Sequence, residues 1–191
     1  MATPELVKPT ERASLVKTMA ARFNLDPVIF LSTIRKTVMP SPNATDEQVA
    51  AFLAVASEYN LNPFTREIYA FPGKGGGIQP IVSIDGWIKI IQTHPQFDGW
   101  TFSSHIDERG QLVAVTCKIY RKDRSEPFEV TEYMNECVRN TEPWKQMPSR
   151  MLRHKAAKEG GRYAFGFAGI TDEDEAIAAI VNERTVASFP V

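Results

Sequence analysis

The sequence predicts an α+β fold, with helices in the first third, antiparallel strands in the middle and helices again towards the end. Three observations lead to this prediction. Apolar residues recur at helical spacing between Leu15 and Phe23. From Glu67 the pattern changes to short apolar strands separated by turn sequences. From Pro148 the pattern becomes helical again and is rich in cations.

The first third contains signals for three helices. The first spans the apolar residues up to Phe23, and Asp26-Pro27 combines an N-cap with proline at the first helical position. Thr45 and Gln48 form a capping-box pattern ahead of the run VAAFLAVASEY. We therefore expect three N-terminal helices.

The middle of the chain reads as a hairpin and a meander. The runs EIYAF and IQPIVSI are joined by the glycine-rich PGKGGG, which suits a central antiparallel hairpin. Asp85 is predicted to cap a short helix. The runs GWTFSSHI, QLVAVTCKIYR and FEVTEYM then predict a three-stranded antiparallel meander. The acids of TDEDEA, which suit a helix N-terminus, predict a final helix after the basic one.

Length and composition predict one globular domain. The 191 residues are 43% hydrophobic, enough for a sizeable core, and we expect a single domain over residues 10–183 with flexible ends at 1–9 and 184–191. Neither a run of about 20 apolar residues nor a signal-peptide centre occurs, so we expect a cytoplasmic protein. Cys117 and Cys137 are then expected to be buried, reduced thiols.

One segment concentrates positive charge in a chain whose formal net charge is only −1. Lys145 to Arg162 holds six cations against the single anion Glu159, a net of +5 that leaves −6 for the rest. The cations are Lys145, Arg150, Arg153, Lys155, Lys158 and Arg162. A solvated face would normally mix both signs, so this distribution favours binding of phosphate over simple solubilisation.

Drawn as a helix, the segment has distinct faces. Leu152, Ala156 and Tyr163 form a stripe that could face a core, with Lys155, Lys158 and Arg162 beside it. Ser149 is the expected N-cap. The pair Gly160-Gly161 would weaken the helix or allow another backbone to approach closely.

Catalytic patterns are poorly supported. GKGGG lacks the spacing of a phosphate-binding loop, and His94, His105 and His154 lie far apart in the chain. The acids Asp172 to Glu175 could be imagined as magnesium ligands of a nuclease, but a helix N-terminus explains them better. We therefore predict no catalytic site, no metal and no cofactor, and a binding protein instead of an enzyme.

Several motifs together resemble a known family. LNPFTREIYAFP, IDGWIKII, QFDGW, CKIYRKDR, VTEYMNEC and RMLRHKAAKEGGRYAFGFAGITDEDEA occur in the order and spacing of the Redβ branch of the Redβ/RecT phage single-strand annealing proteins. The resemblance covers about residues 25 to 180. It implies a recombination protein that coats single-stranded DNA, anneals complementary strands without ATP through an annealed duplex intermediate, and assembles into homo-oligomeric rings or helical filaments.

The resemblance also implies site residues and partners. The positions that match DNA-contacting cations of the family are Arg66, Lys74, Arg139, Arg153, Lys155 and Arg162. Arg150 and Lys158 join them on charge and periodicity alone. Ser149 and Ser41 depart from the family pattern, which has lysine at both places. A phage exonuclease and the host single-strand-binding protein are the implied partners, through a smaller C-terminal domain that the given sequence does not reach.

Two further questions concern the aromatic residues and a competing class. Trp144, Tyr163, Phe165 and Phe167 could stack on bases, but core packing is favoured for them because small residues lie among the aromatics of RYAFGFAGI. For Phe64, which lies beside Arg66, base stacking and core packing both stay open. The competing class is an interaction module whose basic face binds an acidic protein. Binding to oligo-dT in a salt series separates that class from a DNA-binding protein.

Overall fold

The computed structural model describes residues 9–41, 43–73 and 77–171, and it confirms the predicted α+β class. The described residues form two compact units. The first contains the residues up to Ser83 together with Ile170 and Thr171, and the second is Ile84–Gly169. Residues 1–8 and 172–191 lie outside the described parts, so the final helix, the flexible ends and the single domain over 10–183 stay predictions.

The first unit begins with the three predicted helices, α1 (Pro9–Arg22), α2 (Pro27–Thr37) and α3 (Asp46–Glu58). The carboxylate of Asp26 accepts the backbone N–H of Val28 at 2.8 Å, which fixes the start of α2. Thr45 and Gln48 form the capping box, because each side chain accepts the other's backbone N–H. Both caps were predicted from the sequence, because each depends on residues only two or three positions apart.

A two-stranded hairpin follows, with β1 (Ile68–Pro72) antiparallel to β2 (Ile78–Val82). The hairpin was predicted, and its two ends meet where the Gly73 N–H donates to the carbonyl of Gly77 at 2.8 Å. Lys74 lies outside the described residues. After the second unit the chain returns to this hairpin, where Thr171 forms a parallel bridge with Ile81.

The second unit is a meander covered by helices. Its strands β3 (Phe97–Ile106), β4 (Leu112–Arg121) and β5 (Phe128–Tyr133) pair in chain order as one antiparallel sheet. The helices are α4 (Ile84–Gln92), α5 (Met134–Cys137), α6 (Glu142–Gln146) and α7 (Pro148–Phe165). The meander was predicted, whereas the short helices α5 and α6 were not.

Two capping predictions in the second unit are wrong. Asp85 lies inside the first turn of α4, which begins one residue earlier at Ile84. Ser149 is the second residue of α7, since the helix begins at Pro148 and its N-cap residue Met147 makes no side-chain capping bond. Proline at the first helical position needs no N–H partner, so the helix can begin there without a serine cap.

The core of the second unit lies between the sheet and α7. It contains side chains from β4, α5, α6 and α7: Val115, Cys117, Ile119, Cys137, Trp144, Leu152, Ala156 and Ala164. Aromatic residues of β3 and β5 pack around this cluster. The basic helix is therefore also the main core helix of its unit, a combination that decides which of its cations reach solvent.

Candidate nucleic-acid interface

Helix α7 carries most of the predicted cations, and its C-terminal end is fixed by specific bonds. Gly166 adopts a left-handed conformation (φ 70°) and donates its N–H to the carbonyl of Arg162 at 2.8 Å. Glycine tolerates this conformation without the steric cost of a Cβ, which makes it the common helix terminator. The guanidinium of Arg121 donates to the carbonyl of Ala164 and stands 5.5 Å from the ring centroid of Phe165.

Gly160 and Gly161 let two different neighbours approach α7. A Cβ on Gly160 would lie 3.1 Å from Cδ1 of Ile119 in β4, and one on Gly161 would lie 2.6 Å from Cδ1 of Ile91 in α4. Helix α7 therefore packs against the sheet at Gly160 and against α4 at Gly161. The predicted approach of another backbone is wrong in kind, because the atoms closest to both glycines belong to side chains of β4 and α4, which pack tightly against α7.

The cations of α7 differ sharply in exposure. Arg150 and Arg153 are exposed, whereas Lys155 and Lys158 are only 8% and 7% exposed. Each of the two lysines takes part in an interaction within the protein. Arg150 and Arg153 therefore present the directly accessible positive charge, and the two lysines contribute their charge from beneath the surface.

Arg162 lies between these extremes and is held by two neighbours. Its guanidinium carbon stands 5.3 Å from the ring centroid of Trp87, and its Nε lies 3.7 Å from a carboxylate oxygen of Glu159. Its side chain is 27% exposed. A cation over an indole face is stabilised by the ring quadrupole, so the rotamer of Arg162 is set in advance. The i,i+3 spacing to Glu159 is a sequence signal, but the contact with Trp87 is tertiary.

Two exposed arginines of the second unit, one on α7 and one between α5 and α6, also make contacts within the protein. The guanidinium carbon of Arg153 stands 5.9 Å from the ring centroid of Phe102, which is on β3. Arg139, between α5 and α6, donates to the carbonyls of Glu136 and Val138 at 2.9 and 3.0 Å. Both side chains remain exposed, so both can meet an anion from solvent.

His154 responds to this concentration of charge. Burial lowers the pKa of its imidazole below the ordinary 6.5, and the neighbouring charges of Lys158, Arg150 and Arg153 lower it further. The carboxylate of Asp85 acts in the opposite direction. The lowered pKa favours the neutral imidazole at pH 7, with burial as its main cause and the three cations of α7 as further contributors.

The two thiols are buried and free, as predicted. Burial raises the pKa of Cys117 to about 12. Burial also raises the pKa of Cys137 to about 12, helped by its hydrogen bond to the carboxylate of Glu132 at 3.0 Å and opposed by the charge of Lys155. Neither thiol has the thiolate character of a reactive cysteine.

The remaining two predicted site residues belong to the first unit. Arg66 is exposed and lies in the turn between α3 and β1, with a left-handed backbone (φ 60°). Lys74 is not among the described residues. The structure thus brings together Arg150, Arg153, Lys155, Lys158 and Arg162 on one helix, with Arg139 in the same unit.

The aromatic residues divide between core and surface. Trp144 is 1% exposed, and Phe165 packs 4.2 Å from the ring centroid of His94, so core packing is confirmed for both. Phe64 is partly buried and meets Phe23 edge to face at 4.9 Å. Tyr163 differs, because 67% of its surface is exposed.

The predicted core stripe Leu152, Ala156 and Tyr163 is therefore wrong at its last member. Leu152 and Ala156 are fully buried, whereas Tyr163 is exposed although its neighbour Ala164 lies in the core of the same unit. A helical projection places these residues on one face yet cannot show where the neighbouring elements end.

The described part of the chain offers little support for a metal site or a membrane-spanning helix. Within residues 9–41, 43–73 and 77–171, His, Cys, Asp and Glu form no group that could hold a metal ion. No helix in those ranges has both the length and the apolar character needed to cross a bilayer. Asp172 to Glu175, considered above as magnesium ligands, are outside the described residues.

The fold and this surface define an α+β protein with a rigidly packed cationic helix. The sequence matches the family model described as the RecT family over residues 28–188. It is also 45% identical to "Recombination protein bet" of Escherichia phage lambda, in an alignment of 191 positions that covers 93% of this chain and 70% of that protein. The chain belongs to the RecT family, as its motifs predicted.

Proposed function

We propose that this protein binds single-stranded DNA through the backbone and anneals complementary strands without ATP during phage recombination. The observation that carries the proposal is the set of arginines that α7 presents to solvent, the exposed Arg150 and Arg153 and the partly exposed Arg162, in a chain of the RecT family. The name of the lambda relative, a recombination protein, agrees with it.

Annealing makes specific physical demands that such a surface meets. Two strands repel through one charge per nucleotide, so the protein must neutralise phosphates while the bases remain free to test their partners. Contacts to phosphate position a strand without reading its sequence. Because packing on two sides already orders the backbone of α7, its arginines can supply those contacts without further ordering of the backbone on binding.

All the predicted DNA-contacting residues are kept in the proposal, but the structure suggests different roles for them. Arg150, Arg153 and Arg162 are the proposed direct phosphate contacts of α7. Lys155 and Lys158 strengthen the positive potential from below. The same proposal includes three residues outside this helix, namely Arg66, Lys74 and Arg139.

Tyr163 adds a second kind of contact to the proposal. Its ring is exposed next to Arg162, although sequence reasoning favoured a core position for it. An exposed aromatic ring beside a phosphate-binding cation can stack on a base, which is worth about 1–3 kcal/mol per base in single-strand binding proteins. Stacking at Tyr163 would be tolerant of sequence, as annealing requires.

The proposal includes assembly. A chain of 191 residues has a radius of gyration of about 16 Å if compact, so one copy can contact only a few nucleotides. Continuous tracking of a strand requires head-to-tail contacts, which close into rings or continue as helical filaments. We propose an oligomer of this kind, acting in the bacterial host cell together with a phage exonuclease and the host single-strand-binding protein.

The proposal is tested by fluorescence anisotropy with labelled oligo-dT and a mixed-sequence strand at several salt concentrations. We expect similar affinities for both strands. The double variant Arg150→Ala/Arg153→Ala should weaken both and reduce the slope of log K against log salt by about 1.4, which is 0.7 for each phosphate contact. Lys17→Ala, which removes an exposed charge from α1, is the matched control and should bind as the wild type does.

Annealing itself is followed by energy transfer between two labelled complementary strands without nucleotide, with light scattering recorded in parallel. Annealing that needs ATP, or an active species that stays monomeric, would contradict the proposed mechanism. Magnesium-dependent loss of the labelled strands would favour the nuclease alternative. A protein that ignores oligo-dT but binds an acidic polypeptide would favour the interaction module.

A further inference from the structure

The turn that carries Arg66 has an unusual backbone. Three described residues other than glycine have positive φ, namely Asn24 (53°), Asn60 (51°) and Arg66 (60°). Asparagine tolerates the left-handed region because its short polar side chain can bond locally, whereas arginine has no such compensation. Arg66 is therefore the residue at which this backbone conformation is least expected.

Hydrogen bonds at both ends lock this turn. The Phe64 N–H donates to Oδ1 of Asn62 at 2.9 Å, and the Asn62 N–H donates to Oε2 of Glu67 at 2.8 Å. The Glu67 N–H donates in return to the carbonyl of Asn62 at 3.1 Å, and the Arg66 N–H donates to the carbonyl of Pro63 at 3.3 Å. Asn62 and Glu67 thus close a ring of backbone and side-chain bonds around the exposed Arg66.

Packing anchors the same turn from below. The ring of Phe64 meets Phe23 at 4.9 Å and Phe30 at 5.9 Å, both edge to face, and Leu61 and Pro63 are buried. Only the tip of the turn, Thr65 and Arg66, is exposed. The left-handed backbone at Arg66 is thus imposed by a support that does not depend on the arginine side chain.

The reversal of chain direction explains why residue 66 has a left-handed backbone, but it does not explain why that residue is an arginine. Glycine would make the same turn without steric cost. Within the described residues the guanidinium of Arg66 makes no hydrogen bond or ion pair, so the fold there gains no polar contact from it. Strained residues of this kind cluster where a side chain is used by a ligand.

We propose that Asn62 and Glu67 are positioning residues, which hold Arg66 in its strained conformation so that its guanidinium meets a phosphate of the bound strand. This inference rests on the proposed single-stranded DNA binding. It assigns a role in that binding to Asn62, which is uncharged, and to Glu67, which is acidic, although a search for cations would identify neither. It treats the turn 62–67 as a preformed phosphate contact whose strain is offset by the bonds on either side.

The first experiment separates strain from binding by comparing Arg66→Gly with Arg66→Lys. Arg66→Gly relieves the strain, so its urea midpoint should rise, while its affinity for oligo-dT should fall about tenfold, as expected for loss of one charged contact. Its salt slope should fall by about 0.7. Arg66→Lys keeps the charge and should keep the slope. An Arg66→Gly protein that binds oligo-dT as tightly as the wild type would overturn the inference.

The second experiment tests the positioning role with a double-mutant cycle. Asn62→Ala should weaken oligo-dT binding when Arg66 is present and have no further effect in the Arg66→Gly background, because it acts through Arg66. Asn62→Ser, which retains an acceptor for the Phe64 N–H, should recover most of the affinity. Equal losses in both backgrounds would show a merely structural role and overturn the assignment.

A reference variant distinguishes failure of this inference from failure of the proposed function. If Arg153→Ala weakens oligo-dT binding and the Arg66 and Asn62 variants do not, the protein binds DNA but this turn has no part in it. If the wild-type protein does not bind oligo-dT at all, both the proposed function and this inference are wrong.

Discussion

The guanidinium of Arg162 lies over the indole ring of Trp87, with 5.3 Å between the guanidinium carbon and the ring centroid. Trp87 is fully buried in α4, and Phe167 meets the same ring edge to face at 6.2 Å. Helix α4 therefore does more than pack against α7, since it supplies the aromatic surface on which a partly exposed cation rests. This relationship gives Arg162 a defined orientation that a solvated arginine would lack.

Replacement of Arg162 by lysine should reduce DNA affinity although the charge is kept. A lysine ammonium is a compact, strongly hydrated charge that lacks the planar guanidinium able to lie over Trp87. We expect Arg162→Ala to weaken oligo-dT binding about tenfold and Arg162→Lys to fall between it and the wild type. Anisotropy titrations measure both. If Arg162→Lys binds as tightly as the wild type, the support from Trp87 is irrelevant to binding.

Exposed and buried cations of α7 should respond differently to alanine. Arg153→Ala should weaken DNA binding and leave the free energy of unfolding nearly unchanged, because the side chain is exposed. Lys155→Ala should lower the free energy of unfolding by about 1–3 kcal/mol, since it removes a buried stem and its interaction within the protein. Urea denaturation and anisotropy on the same samples separate the two effects. Equal stability of both variants would contradict this division.

The two glycines of α7 should differ in their tolerance of alanine. Alanine in a helix interior is favoured over glycine by about 1 kcal/mol, and overpacking of a core costs about 1–3 kcal/mol. At Gly160 the nearest contact of 3.1 Å is tight but adjustable, so the gain in helix propensity and the cost of overpacking should nearly cancel. Gly160→Ala should therefore leave the free energy of unfolding almost unchanged. At Gly161 the new Cβ would lie 2.6 and 2.8 Å from two atoms of buried Ile91, so Gly161→Ala should destabilise.

Urea denaturation measures both glycine variants. The addition of Ile91→Val, which removes Cδ1, should recover part of the stability lost in Gly161→Ala. If the double variant recovers no stability, the steric clash with Ile91 is not the cause of the destabilisation by Gly161→Ala.

The stability of the protein should depend on pH through His154. Its pKa is lowered in the folded state, so between that value and 6.5 the unfolded chain binds more protons than the folded one. The stabilisation is therefore complete above pH 6.5 and is lost as pH falls towards the folded-state pKa. We expect the difference in urea midpoint between pH 7.5 and 5.5 to be smaller in His154→Gln than in the wild type.

A matched control is needed because burial also lowers the pKa of His94, with Arg121 acting in the same direction and Asp123 opposing it. His94→Gln should remove its own share of the pH dependence, and the double variant should be the flattest. A His154→Gln protein with the full pH dependence of the wild type would show that His154 does not titrate as described.

Local features of the fold were predictable because their causes lie within a few residues. The Asp26 cap and the Thr45–Gln48 capping box depend on neighbours in the chain, and the strands of the meander are marked by alternation and turns. Helices α5 and α6 were missed because each is only one turn long and has too few residues to show a period. The start of α7 was misassigned by two residues, since both proline and serine are start signals.

The sequence by itself determined the class of fold, the family and the cluster of cations in α7, because periodicity, motifs and charge are properties of the chain. Only the tertiary structure decided what each cation and aromatic can do. In the folded protein Lys155 and Lys158 are buried, Arg162 lies over Trp87 of α4, and Tyr163 is exposed. Exposure depends on where neighbouring elements begin and end, and those contacts join residues far apart in the chain, which a helical projection cannot represent.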